Sequence, residues 1–377
     1  MKLTVMRLHM SDNFQEKLYK EFNSLKKEIK KPNILLVGGT GVGKSSLLNL
    51  CFGEDIAKIG IGKPVTQHID RFVSEDIPIV LFDSKGYEIG SEQEVQFQKD
   101  VIELCTGTHE KVEDKPHLAW YCVQSISSRI TDFDIEIIRK IEKSKVPLAI
   151  ILTKSDLISE EDAIEMKKVI LTKFPNIHIF ETNTKNILHG MELKKLIEWS
   201  VIQLPEALKT AFISAQKASI KGKREHAKNA VIQHTSLAFA TGFVPIPASN
   251  APLLLANQSK LLARILYIYN LDKAVDNASA IIQVALASAL PMAGRYLVSQ
   301  ILKFIPGVGT VIGGTINGTV AASITSAFGF AVSEACANVV ELGIDNIDDA
   351  SFMKHFDTDL IDIFMKYLKQ EQEKKNG

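Results

Sequence analysis

One short segment near the start of the chain restricts its possible folds more than any other feature. Residues 38–45 read Gly-Gly-Thr-Gly-Val-Gly-Lys-Ser and fill every fixed position of the pattern G-x-x-x-x-G-K-[ST]. An apolar run at residues 33–37 is suited to a buried strand, and residues 46–50 read as the start of a helix. The segment therefore predicts a strand, a phosphate-binding loop and a helix in that order, which is one unit of an α/β fold.

The residues of this loop have separate expected roles. The glycines allow a tight turn that directs backbone N–H groups at phosphate oxygens. Lys44 is expected to reach the β- and γ-phosphates, and the Ser45 hydroxyl to ligate Mg²⁺. The expected nucleotide contacts in this segment are Gly38, Gly39, Thr40, Gly41, Val42, Gly43, Lys44, Ser45 and Ser46.

The composition of the whole chain excludes several other classes of protein. The 377 residues include 44 basic and 44 acidic side chains, so no net charge favours DNA or another polyanion. The four cysteines lie far apart, which indicates neither a disulfide framework nor a metal site. The first residues lack the apolar core of a signal peptide, so we expect a cytoplasmic protein, with membrane association as the open alternative.

The order of apolar runs predicts a doubly wound α/β domain followed by an all-α domain. Strands are expected at 33–37, 68–74, 77–82, 117–123, 146–152 and 176–180, and helices at 44–52, 91–105, 132–143, 160–173 and 190–204. The close pair 68–74 and 77–82 predicts a hairpin, and hence one antiparallel edge strand on a mostly parallel sheet. Composition divides the chain into an N-terminal amphipathic helix (1–32), an α/β domain (33–205), an Ala/Gly-rich helical domain (206–344) and an amphipathic tail helix (345–377).

Further polar residues follow the predicted strands. Thr153-Lys154-Ser155-Asp156 comes after one of them, and an aspartate there can accept two hydrogen bonds from guanine that adenine cannot donate. Asp83 and Gly86 follow another strand. Asp83 can bind Mg²⁺ through a water, and the N–H of Gly86 can approach a γ-phosphate. Thr66 lies before the hairpin and can offer its hydroxyl to Mg²⁺ and its N–H to the γ-phosphate.

Together these residues resemble the GTPase domain of the translation-factor class, nearest its Era-like branch. Pro64-Val65-Thr66 and Lys44-Ser45-Ser46-Leu47-Leu48-Asn49 carry the resemblance. It implies GTP hydrolysis with Mg²⁺, two switch loops, metal ligands at Ser45, Thr66 and Asp83, and catalytic roles for Lys44, Thr66 and Gly86.

The sequence departs from this family in ways that bear on catalysis. Tyr87 replaces the glutamine that orients water in Ras-like members, and Gly41 replaces the asparagine of potassium-activated members. Hydrolysis is then expected to be slow without a partner or a homodimer formed through the GTPase domain. Glu181-Thr182-Asn183 replaces the usual guanine-contacting Ser-Ala, so only backbone contacts from Thr182 and Asn183 are expected. For Arg129 a surface ion pair is favoured over a catalytic arginine acting in cis.

The second half resembles a helical domain that often follows Era-like GTPase domains in bacteria, through Phe243-Val244-Pro245-Ile246-Pro247 and residues 304–310. We expect a GTP-hydrolysing switch whose helical domain engages a partner or a membrane surface. The alternatives are a nucleotide-gated scaffold with negligible hydrolysis and a membrane-remodelling enzyme, which a more distant resemblance to dynamin-like and immunity-related GTPases would suit. RNA or ribosome binding has little support, because Lys221-Gly222-Lys223-Arg224 is too short a basic patch.

Overall fold

The computed structural model describes residues 16–53, 63–66, 68–74, 77–84, 93–107, 115–127, 129–183, 191–242, 250–271, 275, 318–342, 363–364, 366–367 and 370. The chain divides into two compact units. One is Ile29–Ser219, and the other combines Met1–Glu28 with Ile220–Gly377.

The first unit is built on a seven-stranded mixed sheet with the order β2-β3-β4-β1-β5-β6-β7. The strands are β1 (Asn33–Val37), β2 (Lys63–Pro64), β3 (Ile69–Val73), β4 (Val80–Ser84), β5 (Leu118–Gln124), β6 (Leu148–Thr153) and β7 (His178–Thr182). Strand β3 runs antiparallel to both of its neighbours, whereas β4, β1, β5, β6 and β7 are parallel. The predicted α/β fold is confirmed, but the antiparallel strand lies one place in from the edge, because the short β2 pairs outside it.

Helices flank this sheet on both faces. They are α2 (Lys44–Phe52), α3 (Gln93–Thr106), α4 (Asp132–Lys143), α5 (Glu160–Lys173), α6 (Met191–Gln203) and α7 (Glu206–Ala215). The first helix of the chain, α1 (residues 16–28), belongs to the other unit. Strands β4 and β6 begin later than predicted, just after Pro78 and Pro147. Proline has no N–H to donate to a strand ladder, which explains the shift. Both strands also end later than predicted, so Asp83 and Thr153 lie inside strands rather than in the loops that follow.

Alternate residues of the central strand pack into separate cores on the two faces of the sheet. Ile34 and Leu36 pack on the face covered by α2, α6 and α7, while Leu35 and Val37 pack on the face covered by α3, α4 and α5. All five residues of β1 are buried, as expected for a parallel strand covered on both sides. Trp120 of β5 stacks on Phe52 at 5.9 Å between ring centroids, which holds the carboxyl end of α2 against the sheet.

The described residues of the second unit are helical except for turn residues at the ends of its long helices. Its long helices are α8 (Ile220–Gly242), α9 (Asn250–Tyr269) and α10 (Gly318–Glu341). Helices α8 and α10 approach so closely that a Cβ atom on Gly329 would lie 2.6 Å from Cγ2 of Val231. The fully buried Lys223 donates a hydrogen bond of 2.9 Å to the carbonyl oxygen of Ile268.

The two terminal segments that the sequence predicts as helices differ in how much is described. Helix α1 buries Leu18 and Phe22, and Phe22 packs against Tyr267 with ring centroids 6.3 Å apart. This helix therefore packs within the helical unit. The predicted tail helix lies almost wholly outside the described residues, as do residues 304–310.

Candidate nucleotide-binding site

The loop between β1 and α2 lies at the carboxyl edge of the sheet and needs glycine at two positions. Gly38 has a φ of 148°, and a Cβ atom there would lie 2.4 Å from the carbonyl oxygen of Cys122. Gly43 has a φ of 104° and begins helix α2 from the left-handed region. The loop is thus a tight turn wedged against β5, as the motif predicts.

The amino terminus of α2 lacks the groups that usually complete a helix. Gly43 supplies no side-chain cap, and the first turn holds no acidic residue. Its backbone N–H groups need an acceptor, and the positive end of the helix dipole favours an anion. Thr40, Gly41, Ser45 and Ser46 are exposed, so a phosphate group can reach this end of the helix.

Lys44 is folded back onto the loop that carries it. It is 9% exposed, and its Nζ atom donates hydrogen bonds of 2.9 Å to Gly38 O and 3.1 Å to Gly39 O. Burial lowers the pKa of Lys44, and the nearby Asp83 carboxylate partly opposes this. The ammonium group thus lies within the curve of the loop, where phosphate oxygens can replace the two carbonyl oxygens as acceptors.

Asp83 lies on β4 opposite Leu36 of the neighbouring β1. Its Oδ1 atom is buried and has no hydrogen-bond partner among the described residues. Burial raises the pKa of Asp83 to about 6, with Lys44 opposing the rise and Asp70 adding to it. A buried carboxylate oxygen without a partner fits a site for Mg²⁺ or for a water bound to it, because hard cations prefer such oxygens.

Thr66 takes part in a different set of contacts. Its hydroxyl accepts hydrogen bonds from His68 N at 3.3 Å and Ile69 N at 3.1 Å, which closes the turn before β3. His68 is hydrogen-bonded to Asp100 of α3 at 2.9 Å. Burial tends to raise the pKa of Asp100, but hydrogen bonds from His68, Gln96 and Thr66 outweigh it and hold that pKa low. Thr66 would have to leave these contacts to bind a metal ion beside Asp83.

The segment after β6 is tied directly to the phosphate-binding loop. The Thr153 hydroxyl donates a short hydrogen bond to Val42 O, and Lys154 Nζ donates one of 2.8 Å to Gly41 O. Lys154 adopts a φ of 56°, which turns the chain into a short 3₁₀ helix, Ser155–Leu157. Asp156 lies on that helix with its carboxylate exposed, in position to receive a base from solvent.

The last strand and two unpredicted residues complete this edge. The Ser155 hydroxyl donates to Thr182 O at 3.2 Å, which places the end of β7 and Asn183 beside the 3₁₀ helix. Gln124, at the end of β5, accepts from Lys154 Nζ at 3.4 Å. Neither Gln124 nor Ser155 has an expected role from the sequence alone. The order of the strands in the sheet is what brings these residues to the site, since carboxyl ends of neighbouring parallel strands meet at one edge.

Three residues of the predicted second switch cannot be placed. Lys85, Gly86 and Tyr87 lie outside the described residues. The structure therefore brings together Lys44, Asp83 and the segment Thr153–Asp156, and it places Thr66 in the turn before β3.

Part of the chain is similar in sequence to known GTP-binding proteins. Residues 33–154 match the family model described as "50S ribosome-binding GTPase". The chain is 25% identical over 142 residues to the probable GTP-binding protein EngB of Aquifex aeolicus, covering 37% of this chain and 74% of that protein. It is 27% identical over 179 residues to GTPase Era of Caldicellulosiruptor saccharolyticus, covering 47% of this chain and 56% of that relative.

Solved structures of the same group show lower similarity. A crystal structure of Aquifex aeolicus Era bound to GDP and aluminium fluoride is 18% identical, with a TM-score of 0.34, and covers 47% of this chain and 58% of that one. Residues 33–154 are thus similar to a GTPase family model, and the chain is similar in sequence to EngB and Era.

Proposed function

We propose that this protein is a GTP-binding and GTP-hydrolysing switch whose helical unit engages a partner. The observation that carries the proposal is one continuous set of contacts at the carboxyl edge of the sheet. Lys154 and Thr153, from the segment expected to read the base, are hydrogen-bonded to Gly41 and Val42 of the loop expected to bind phosphate. A single nucleotide spanning both segments is the ligand that this arrangement fits.

The choice of guanine rests on Asp156. Its exposed carboxylate can accept from the N1–H and the 2-amino group of guanine, whereas adenine has no donors at these atoms. Thr182 and Asn183 adjoin the same 3₁₀ helix and can add backbone contacts to the base. Calorimetric titration with GTP and ATP tests this, and equal affinity for the two nucleotides would contradict it.

A matched variant makes that test sharper. In Asp156→Asn the new amide can donate to the 2-oxo group of xanthine, which replaces the 2-amino group of guanine. We expect GTP affinity to fall by at least about a hundredfold and affinity for xanthosine triphosphate to rise. Lys44→Ala, which removes the ammonium group, should weaken both nucleotides in either background, so it controls for damage to the phosphate site.

Hydrolysis is assigned to residues around the γ-phosphate. Ser45 and Asp83 would hold Mg²⁺, joined by Thr66 once its hydroxyl leaves the turn before β3. Bound Mg²⁺ would neutralise charge on the β- and γ-phosphate oxygens. Lys44 contributes a second positive charge, and the backbone N–H of Gly86 is proposed to contact the γ-phosphate. The release of Thr66 from its turn and the contact of Gly86 with the γ-phosphate constitute the proposed switch.

A nucleotide-gated scaffold is the second candidate, and Tyr87 favours it. Tyrosine at this position cannot orient a water as glutamine does, so hydrolysis by the isolated chain is expected to be slow. Phosphate release measured over a range of protein concentrations separates the candidates. No release at any concentration would favour the scaffold, and a rate per molecule that rises with concentration would indicate activation by a homodimer.

The kind of partner that we propose for the helical unit depends on whether its basic residues at 221–224 are free to bind RNA. Lys223 is buried on Ile268 O, and Arg224 pairs with Glu334 at 3.2 Å and Glu341 at 2.7 Å. These two charges face inward or are paired, which argues against an RNA-binding patch, although the matching family is described as ribosome-binding. We therefore propose a protein partner for this unit.

A membrane surface is the alternative partner. Among the described residues, Ala321–Glu341 is the one helical segment long and apolar enough to cross a bilayer, and 76% of its most apolar window is buried within the protein. That burial suits a core helix better than a membrane anchor. Co-sedimentation with anionic liposomes, with and without a non-hydrolysable GTP analogue, tests the membrane, and nucleotide-dependent binding to liposomes would overturn the choice of a protein partner.

A further inference from the structure

The loop between β5 and α4 places an arginine beside the phosphate-binding loop. Arg129 lines a cavity of about 540 Å³ that is also lined by Gly39 and Thr40. Gln124 and Thr131 also line this cavity. The space between the arginine and the exposed edge of the loop is therefore continuous.

The side chain of Arg129 is available for a ligand. The sequence favours a surface ion pair, but within the described part of the chain its guanidinium forms neither a salt bridge nor a hydrogen bond. Its backbone carbonyl accepts from the Ser127 hydroxyl at 3.1 Å. The backbone is thus held while the exposed cationic group remains unpaired.

The surrounding loop is rigid enough to position that group. The Ser127 hydroxyl also lies 2.9 Å from Gln124 O, which joins the loop to the end of β5. Thr131 and Asp134 form a reciprocal capping box at the start of α4, and Tyr121 OH donates to Asp134 at 2.7 Å. The backbone of Arg129 therefore lies between two anchored positions, so binding an anion has to order its side chain but not its backbone.

We infer that Arg129 is a catalytic residue of the GTPase reaction, with its guanidinium donating to a γ-phosphate oxygen in the transition state. The inference rests on the proposed hydrolysis of GTP. Water attacks the γ-phosphorus while its bond to the β–γ bridging oxygen breaks. The electron pair of that bond goes to GDP, and the protons of the water leave with phosphate. Arg129 keeps its proton throughout and stabilises the negative charge that develops on the transferring group.

The proposed role of Arg129 compensates for a catalytic side chain that the sequence lacks. Tyr87 replaces the glutamine that orients water in Ras-like members, so another group must supply part of the transition-state stabilisation. Arginine suits this task because its planar fork donates two parallel hydrogen bonds to phosphate oxygens. Since the arginine belongs to the same chain, its contribution does not depend on protein concentration.

The test measures single-turnover GTP hydrolysis by the Arg129→Ala and Arg129→Lys variants and by the wild-type protein. We expect Arg129→Ala to slow hydrolysis on the order of a hundredfold, and Arg129→Lys to recover a part of it. Affinities for GTP and GDP should stay within about twofold, while affinity for GDP with aluminium fluoride should fall in proportion to the rate. A merely structural role would not separate these ligands. Arg139→Lys is the control, because Arg139 lies on the exposed side of α4 over the Phe174 ring.

The outcomes distinguish this inference from the function on which it rests. A wild-type rate and wild-type binding of GDP with aluminium fluoride in Arg129→Ala would overturn the role of Arg129 and leave the GTPase intact. Equal losses of GDP and GTP affinity would also overturn it, by showing a structural effect. If the wild-type protein neither hydrolyses GTP nor binds GDP with aluminium fluoride, both the inference and the proposed hydrolysis fail.

Discussion

Lys154 Nζ donates a hydrogen bond of 2.8 Å to the carbonyl oxygen of Gly41, across a separation of 113 residues in the sequence. The contact joins the segment proposed to read the base to the loop proposed to bind the phosphates. Its geometry depends on the left-handed φ of Lys154, which turns the side chain back over the loop. The two halves of the proposed nucleotide site therefore have a fixed spacing before any ligand binds.

Removing this link should weaken every guanine nucleotide. Lys154→Met keeps most of the side-chain volume but loses the charged donor, and hydrogen bonds to charged groups contribute about 1.5–3 kcal/mol. We expect affinities for GDP and GTP to fall together, by roughly 10- to 100-fold, in a calorimetric titration.

Lys145→Met is the matched control for this change. Lys145 is also a lysine in the left-handed region, with a φ of 63°, but it precedes β6 and lies at the opposite end of that strand. Both substitutions therefore alter the same kind of backbone position. Equal effects of the two on nucleotide binding would show that the Lys154–Gly41 contact has no special role.

Asp83 should make the stability of the nucleotide-free protein fall as the pH rises. Its pKa in the folded chain is about 6, above the usual value for aspartate, so the folded state holds the proton more tightly than the unfolded state. Stability is then highest below about pH 4, decreases between about pH 4 and 6, and levels off above. Asp83→Asn should raise the free energy of unfolding by about 1–3 kcal/mol at pH 7.5 and by little at pH 4.

Urea denaturation at these two pH values, without nucleotide or Mg²⁺, measures this difference. Asp156→Asn is the control, because it makes the same chemical change at an exposed position. In the same Asp83→Asn protein, Mg²⁺ should no longer strengthen GTP binding. A stability gain that is the same at both pH values would contradict the assigned pKa.

The two ends of the phosphate-binding loop should respond differently to alanine. A methyl group at Gly38 meets Cys122 O at 2.4 Å, whereas one at Gly41 meets no atom within 4 Å. Both positions have positive φ, so each substitution carries a backbone cost of about 1–2 kcal/mol. Gly38→Ala adds a clash with backbone and should lower the thermal midpoint further than Gly41→Ala. Similar midpoints for the two variants would show that the loop can shift away from β5.

Local sequence patterns were sufficient for much of this fold and part of the site. The motif at residues 38–45 predicted where α2 begins, and that helix spans Lys44–Phe52 as expected. Helix α4 likewise occupies its predicted range, because Thr131 and Asp134 form a cap within one turn. Such features depend on neighbours in the sequence, which is why spacing alone reveals them.

Contacts between distant segments were beyond the same reasoning. Ser155 and Gln124 become neighbours of Thr182 and Lys154 because of strand order, which no spacing of residues encodes. The hydroxyl of Thr66 takes part in a turn with His68 and Ile69, although its position in the sequence suggested a metal ligand. Lys223 belongs to a short basic patch in the sequence, yet its side chain is buried against the end of α9.

The tight contact between α8 and α10 should be measurable as a coupling between two residues. Gly329→Ala would place a methyl group 2.6 Å from Cγ2 and 3.0 Å from Cγ1 of Val231, and overpacking of this kind costs about 1–3 kcal/mol. Val231→Ala removes both atoms and should itself destabilise the unit by leaving a cavity. In the double variant the added methyl group fills that space, and alanine improves helix propensity by about 1 kcal/mol over glycine.

Chemical denaturation of the four proteins should therefore give a favourable interaction energy of at least about 1 kcal/mol. Simple additivity would mean that α8 and α10 move apart to accommodate the methyl group, and that Gly329 does not set their separation.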